Sequence, residues 1–432
     1  MAKADINIFR IDANYAAVQG SYCAGMCALN AFTAVYLIFK GFTNAQIGVT
    51  VSLLSLAAIF VQLLVSNFAD SHAHIQLKKI VLVLYLITVA GCALLWLLPL
   101  PVAVLIITYC IATSSQRSIM ALINAMMMQF SNMGLRVNYG WPRGVCSILF
   151  AFSAFVLGIL IEKYSPDIIM PIAIGLTVFG IISIVVMPNP DQMARQYQAQ
   201  STGQVLAARE QSTEEVTEHP TSYPEMLRRN PTLMLFIGAS IVLSLGQSTA
   251  GVFMIRVIEA AGGSAKELGT AILIQAGIEF PMLFASAWIL KKFKVSNILV
   301  FSFFCYSIKQ FGIAVAPSVG AIYGVMAISL FCMGIYAFAS VLFVHSIVRP
   351  SEMVRAQTLV VLSQTVGQIV GSLISGALID PLGLRSLLMV SLIILLAAAF
   401  LMVACHRTHT SQLAREKLTQ PASIQDKNSE GR

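Results

Sequence analysis

Uninterrupted apolar stretches about twenty residues long set the first limit on what this chain can fold into. Ile80–Pro99 contains no charged residue, and Leu384–Cys405 contains only Arg385, at its edge. A bilayer core about 30 Å thick is crossed by ~20 helical residues, each rising 1.5 Å. Lipid offers no hydrogen bonds to exposed backbone, so open sheets and loops are too costly there and the blocks are read as spanning helices. Composition agrees. The 432 residues are 57% hydrophobic and 11% charged, where a soluble domain carries about 25% charged residues. The formal net charge of +8 is not read as nucleic-acid binding, because no soluble domain is available to carry a basic face.

Twelve spans follow: 16–39, 46–69, 78–98, 102–127, 140–161, 168–187, 232–258, 267–290, 297–316, 319–346, 354–379 and 384–405. The expected class is an all-α polytopic membrane protein. Residues 1–187 would form a first six-helix bundle and 231–405 a second. Segment 188–230 is read as a linker. It is rich in Gln, Glu, Ser and Thr and cannot bury a core. It ends in Glu225-Met-Leu-Arg-Arg-Asn-Pro231, read as a short helix on the membrane surface. The polar tail 406–432 is expected to be mobile. The start, MAKADINIFRIDANY, lacks a short apolar core followed by a small-residue cleavage site, so no cleaved signal peptide is expected. With the N-terminus in the cytoplasm, nineteen Lys and Arg fall on the cytoplasmic side and five outside, leaving three in the spans. The positive-inside rule therefore predicts both termini in the cytoplasm. The eight cysteines all lie in apolar blocks without metal spacing. Cys23 and Cys27, at i and i+4, are read as small-residue packing.

The two halves resemble each other. Phe42-Thr-Asn-Ala-Gln-Ile-Gly48, leading into span two, parallels Gly263-Ser-Ala-Lys-Glu-Leu-Gly269, leading into span eight. Gly158-Ile-Leu-Ile-Glu162 closes span five and Gly376-Ala-Leu-Ile-Asp380 closes span eleven. The offsets are 221 and 218 residues. A repeat of like orientation is the arrangement of two bundles related by an axis along the membrane normal, rocking about a central site.

Four stretches carry a family likeness. Ser66-Asn-Phe-Ala-Asp70 keeps the acid of a Gly-x-x-x-Asp loop pattern but not its glycine. Asn138-Tyr-Gly-Trp-Pro-Arg143 matches a Tyr-Gly-x-x-Arg start of span five. Gln275-Ala-Gly-Ile-Glu279 matches an acidic position in span eight, and Lys309 stands where arginine is usual in span nine. Over about residues 15–405 the chain resembles the major facilitator superfamily, in particular the proton-symporter branch of the lactose and phenylpropionate permeases. The resemblance implies the major facilitator fold and a gating role for Asp70. It also implies that Arg143 faces the cavity, that the protein is a monomer, and that it sits in a bacterial inner (plasma) membrane. Two positions depart from the branch. Asn124 stands where an acid is common in span four, and Leu330-Phe-Cys-Met-Gly334 lacks the histidine and glutamate of the sugar permeases. The substrate and proton route of those permeases therefore do not carry over.

A charge within a span costs about 2.5–3.5 kcal/mol on the lenient insertion scale. Four stand out away from the span ends: Arg117, Arg143, Glu279 and Lys309. Glu279 and Lys309 each lie about twelve residues, roughly 18 Å, into adjacent antiparallel spans. They can form a midplane pair in which Glu279 handles a proton and Lys309 meets a substrate anion, or a static ion pair that fixes helix register. Arg143 can grip a carboxylate or sugar hydroxyls with two parallel hydrogen bonds, or extend to the headgroups as an interfacial arginine. Arg117 can face the cavity or pair with a carbonyl. Asn124 and Gln275 join the candidate substrate contacts, with interhelical hydrogen bonding as the alternative for each. Asn30, Gln247, Gln310, Gln364 and Gln368 can line the cavity or bond between helices, and Gly367-x-x-x-Gly371 reads as close helix packing. His72 and His74 have no third ligand, so no metal site and no cofactor are expected.

Three cations against one acid favour proton-coupled import of a small polar solute by alternating access, with an organic anion the preferred class. The alternatives are a drug or metabolite efflux antiporter and a sugar or oligosaccharide–proton symporter. The partners expected are that solute, protons and the bilayer, with no nucleic acid. No GxSxG, HExxH, Walker or Rossmann signature stands in a usable context, so no enzymatic activity is expected.

Overall fold

The computed structural model describes residues 8–72, 74–132, 140–187, 223–349 and 352–419. Side chains are described within these ranges except at 8–10, 130–132, 140–141, 279–281, 283–284, 286–287 and 413–419. All regular structure among the described residues is helical. Ten helices are long and apolar enough to cross a bilayer, and an eleventh is a pair, Ile11–Ala31 and Thr33–Phe39, bent by 46°. Ala265–Lys292, at 28 residues, completes twelve spans among the described residues.

The spans form two six-helix bundles with the same internal packing. Span one packs on spans five and six as span seven packs on eleven and twelve, and three packs on four and six as nine does on ten and twelve. The repeat extends to single residues. Span one ends at Gly41 (φ 81°) and span seven at Gly262 (φ 84°), 221 residues apart, in the left-handed region that a glycine enters without Cβ strain. At each end the next amide reaches back to close the helix, Phe42 N–H to Leu37 O at 3.0 Å and Gly263 N–H to Ile258 O at 2.8 Å, the hydrogen-bond pattern of a glycine-capped helix end. Capping boxes then start spans two and eight, Thr43 with Gln46 and Ser264 with Glu267. Each satisfies backbone N–H groups that a helix start leaves unpaired. The sequence likeness around Gly48 and Gly269 is thus a repeat of helix stop, loop and helix start.

Both halves are broken at matched positions. Phe32 in span one has φ −106° and ψ 16°, and Phe253 in span seven has φ −103° and ψ 23°. They too are 221 residues apart, and both are fully buried. Just before Phe32, Cys27–Ala31 forms a π-helical turn. The carbonyls there find side-chain donors: Tyr109 Oη donates to Leu29 O at 2.7 Å, and Thr33 Oγ1 donates to the same oxygen at 2.9 Å. Span ten is interrupted by a 3₁₀ turn, Ala327–Leu330, and Ser302 Oγ donates to Cys332 O beside the break.

The buried core explains where the molecule is closed. At the face away from the chain ends one core runs through both bundles, joining Leu37, Ile47 and Ala154 to Ile258, Leu268 and Ile379. Toward the face that bears the chain ends it divides. One core there holds Tyr15, Leu84 and Ile123 of the first bundle, and a separate one holds Phe236, Phe303 and Phe343 of the second. Hydrogen bonds between the bundles are likewise confined, among the described residues, to the far face. Asn44 Nδ2 donates to Asp380 Oδ1 at 2.6 Å, and Ser52 Oγ meets Ser372 Oγ and Ile369 O at 2.9 Å. A Cβ on Gly48 would lie 2.8 Å from Gly376 Cα, and one on Gly158 would lie 3.1 Å from Gly269 Cα. The four glycines of the sequence repeat therefore meet as two matched crossings, span two on eleven and span five on eight. Gly367 and Gly371 pack on span seven against Ser244 and Leu245 O, the close approach read from their spacing.

Two expectations are corrected. The last helix does not stop at 405 but runs Leu384–Thr419. His406 Nδ1 lies 3.1 Å from Ser296 Oγ, His409 packs edge-on to Phe343, and Gln412 Oε1 accepts from Thr232 Oγ1 at 2.6 Å. The first part of the tail is thus docked on the second bundle by polar contacts that hydropathy does not register. Cys23 is not simple packing: it is bonded to Cys146 in span five, with Cα atoms 5.4 Å apart. Cys27 is buried, as the packing reading has it. The linker reading falls mostly outside the described residues, at 188–222. A helix, Tyr223–Arg229, does precede span seven.

Candidate functional site

Between the bundles lie two adjoining cavities of about 580 Å³ and 400 Å³. They share a wall that includes Asn30, Gln247, Tyr306 and Met333. Ten spans in all contribute residues to the two cavities, so the space is one central chamber with a constriction. The undivided core closes it at the far face.

Arg143 and Cys146 bring span five to the larger cavity, Gln275 brings span eight, and Lys309 brings span nine. Lys309 Nζ donates to Gln275 Oε1 at 3.2 Å and to Ser329 Oγ at 2.7 Å. Ser329 is fully buried on the 3₁₀ turn of span ten, so the break in that span delivers a hydroxyl to the ammonium. Arg143 is exposed to the cavity, and its guanidinium makes no hydrogen bond among the described residues. Arg117 enters the smaller cavity from span four. Its Nε and Nη2 both donate to Asn30 Oδ1, at 2.9 and 2.6 Å. Asn30 belongs to the π-helical turn of span one. That turn shifts the side chain out of register with a regular helix and aims its carbonyl at the cation. Gln364 Nε2 donates to Tyr336 Oη at 2.8 Å, and Gln368 stands beside it on the same wall.

Of the residues singled out in the sequence, the structure brings Arg117, Arg143, Gln275 and Lys309 to the chamber. Asn124 is not brought there. It is exposed two turns beyond Arg117 and accepts from Tyr15 Oη at 3.1 Å. Asp70 is exposed at the terminal end of span two. The Glu279 side chain lies outside the described residues. Its backbone is one helical turn from Gln275 on span eight. Sequence reasoning missed Ser329, whose role depends on the break in span ten, and the Cys23–Cys146 bond. It also missed the role of Asn30 in holding Arg117, although Asn30 was recognisable as a polar residue inside an apolar block.

The sequence matches the MFS_1 like family over residues 21–390. The chain belongs to that family. It is a major facilitator transporter, not an enzyme. Solved structures agree at the level of the fold. The nucleoside transporter NupG is 15% identical with a TM-score of 0.74, covering 93% of this chain and 99% of its own. A bacterial homologue of the human lysosomal transporter Spinster, inward-facing and unoccupied, is 10% identical with a TM-score of 0.65, covering 94% and 98%. A mutant of the peptide transporter POT, in complex with sulfate, is 12% identical with a TM-score of 0.65, covering 93% and 99%. At these identities the likeness is one of fold. No curated protein sequence matches the chain.

Proposed function

We propose that this transporter imports a small organic anion with protons, through the central chamber and by alternating access. One observation carries the reading: Arg143, whose guanidinium makes no hydrogen bond among the described residues, faces a chamber that Arg117 and Lys309 reach from two other spans. A cation inside a membrane protein is expensive unless something answers its charge, and an anionic solute would answer that of Arg143 during each cycle. Arg143 supplies the planar fork suited to a carboxylate. Lys309, steered by Gln275 and Ser329, supplies a point charge across the cavity. Arg117 fixes the constriction through Asn30.

Glu279 is the proposed proton site. It lies one turn from Gln275, on the helix facing Lys309, so it can alternate between a protonated carboxyl and a carboxylate answered by the ammonium. Asp70 is the proposed gate residue of the terminal face. With basic residues concentrated on the side of the termini, that side is taken as the cytoplasm of a bacterial inner membrane, and the present form as open inward. A monomer suffices, since both bundles that enclose the chamber belong to one chain.

The test is uptake by proteoliposomes of a panel of organic acids, sugars and nucleosides, with and without an inward proton gradient. Gradient-dependent accumulation of an acid supports the proposal. Accumulation of sugars or nucleosides alone removes the anion reading, and gradient-driven extrusion of a dye replaces import with efflux.

A further inference from the structure

The Cys23–Cys146 bond links span one to span five inside the wall of the chamber. Both cysteines line the larger cavity, Cys146 partly exposed and Cys23 at 6% exposure. The spans approach closely here because Gly20, one turn before Cys23, leaves room for Val145 and Leu149 of span five. The bond stands four residues before the π-helical turn at Cys27–Ala31, where span one bends. It also stands one helical turn from Arg143. The other six cysteines form no disulfide, and five of them are buried.

We propose that Cys23 and Cys146 are a reversible dithiol–disulfide site in the transport chamber, and that closing the disulfide restrains the bend of span one and slows the transport cycle. The chamber opens toward the terminal face, so the thiols are reachable by small disulfides and thiols dissolved on that side. The chemistry is thiol–disulfide exchange. The more exposed Cys146, as thiolate, attacks one sulfur of a low-molecular-weight disulfide. That S–S bond breaks, and the leaving thiolate takes up the proton Cys146 released. The Cys23 thiolate then attacks Cys146 Sγ in the mixed disulfide and expels the second small thiol in the same way. Two protein thiols are oxidised and one small disulfide is reduced to two thiols. Excess small thiol reverses both steps. A bond fixing span one to span five just before the bend removes freedom that the bend needs, whichever solute the chamber carries and whichever ion drives it.

The test uses the full-length chain in proteoliposomes, reduced and then treated with 2-hydroxyethyl disulfide. Linked Cys23–Cys146 peptides should appear by mass spectrometry and vanish with excess mercaptoethanol. Amide exchange across residues 20–39 should slow roughly tenfold in the oxidised wild type, a constraint on local opening of the kind a cross-link imposes. Cys23→Ser and Cys146→Ser should each lose that response to the oxidant, and because the main comparison is between two redox states of one protein, a poorly folding variant does not decide the outcome. Both thiols remaining alkylatable after oxidant would overturn the proposal. So would a bond that forms without slowing exchange, or one that mercaptoethanol does not open in the folded protein. None of these readouts needs a transported solute, so the result stands apart from the panel for the anion reading.

Discussion

Arg117 and Arg143 carry the same charge but are held in different ways. Arg117 gives two N–H groups to one oxygen of Asn30, so much of its donor capacity maintains the constriction. Arg143 keeps its guanidinium exposed to the larger cavity. Hydrogen bonds to charged groups are worth about 1.5–3 kcal/mol, so Arg143→Ala should weaken binding of an organic anion by roughly tenfold or more. Arg143→Lys should restore little of it, because an ammonium does not offer a two-pronged contact. Equilibrium binding of the radiolabelled acid identified in the uptake panel checks this, and wild-type affinity in the alanine variant would remove Arg143 from the site. Glu279→Gln should abolish proton-driven accumulation while leaving solute exchange, since a neutral amide mimics the protonated acid but cannot release a proton. Accumulation against a gradient in that variant would show that the proton travels elsewhere.

The breaks in the spans are held by particular donors, and this gives a test at the level of the element. Tyr109 Oη and Thr33 Oγ1 share Leu29 O at the π-helical turn. Tyr109→Phe removes the shorter of those bonds in a fully buried setting and should cost about 1–2 kcal/mol, read as a lower midpoint of thermal unfolding in detergent. An unchanged midpoint would mean that Thr33 alone satisfies the carbonyl. Hydropathy made twelve helices legible because lipid allows little else. The glycine repeat was legible because close helix crossings leave small residues at fixed spacing. The π-helical turn and the 3₁₀ turn were not legible. No proline or glycine marks Cys27–Ala31, and the turn is stabilised by Tyr109, some 80 positions away in sequence. The Cys23–Cys146 bond, with a separation of 123 residues, is invisible for the same reason: only the packing of span one on span five brings its ends together. Of the two readings open for Asn124, cavity lining and bonding between helices, the structure shows the second: it accepts from Tyr15 of span one, two turns past the constriction.

For the molecule as a whole, alternating access requires that the far face open when the terminal face closes. The far face is sealed by two glycine crossings and by few polar bonds, a closure that two rigid surfaces can make and break with little rearrangement. Adding a Cβ at Gly48 would place it 2.8 Å from Gly376 Cα, and backbone cannot yield as a side chain can. Gly48→Ala should therefore weaken the seal and shift the population toward the form open at the far face. A Ser147→Cys probe in the chamber should then react more slowly with a membrane-impermeant maleimide added on the side of the termini. The opposite manipulation is sharper. Ser52 Oγ and Ser372 Oγ lie 2.9 Å apart across the bundles, close enough for a disulfide in the Ser52→Cys, Ser372→Cys double variant with small side-chain adjustment. Forming it should stop both net transport and exchange, because each needs the far face to open, while the probe at position 147 stays reactive from the side of the termini. Reduction should restore the flux. Exchange persisting with the bond fully formed would mean that solute passes without separation of spans two and eleven, and the rocking of two bundles would then have to be abandoned for this protein.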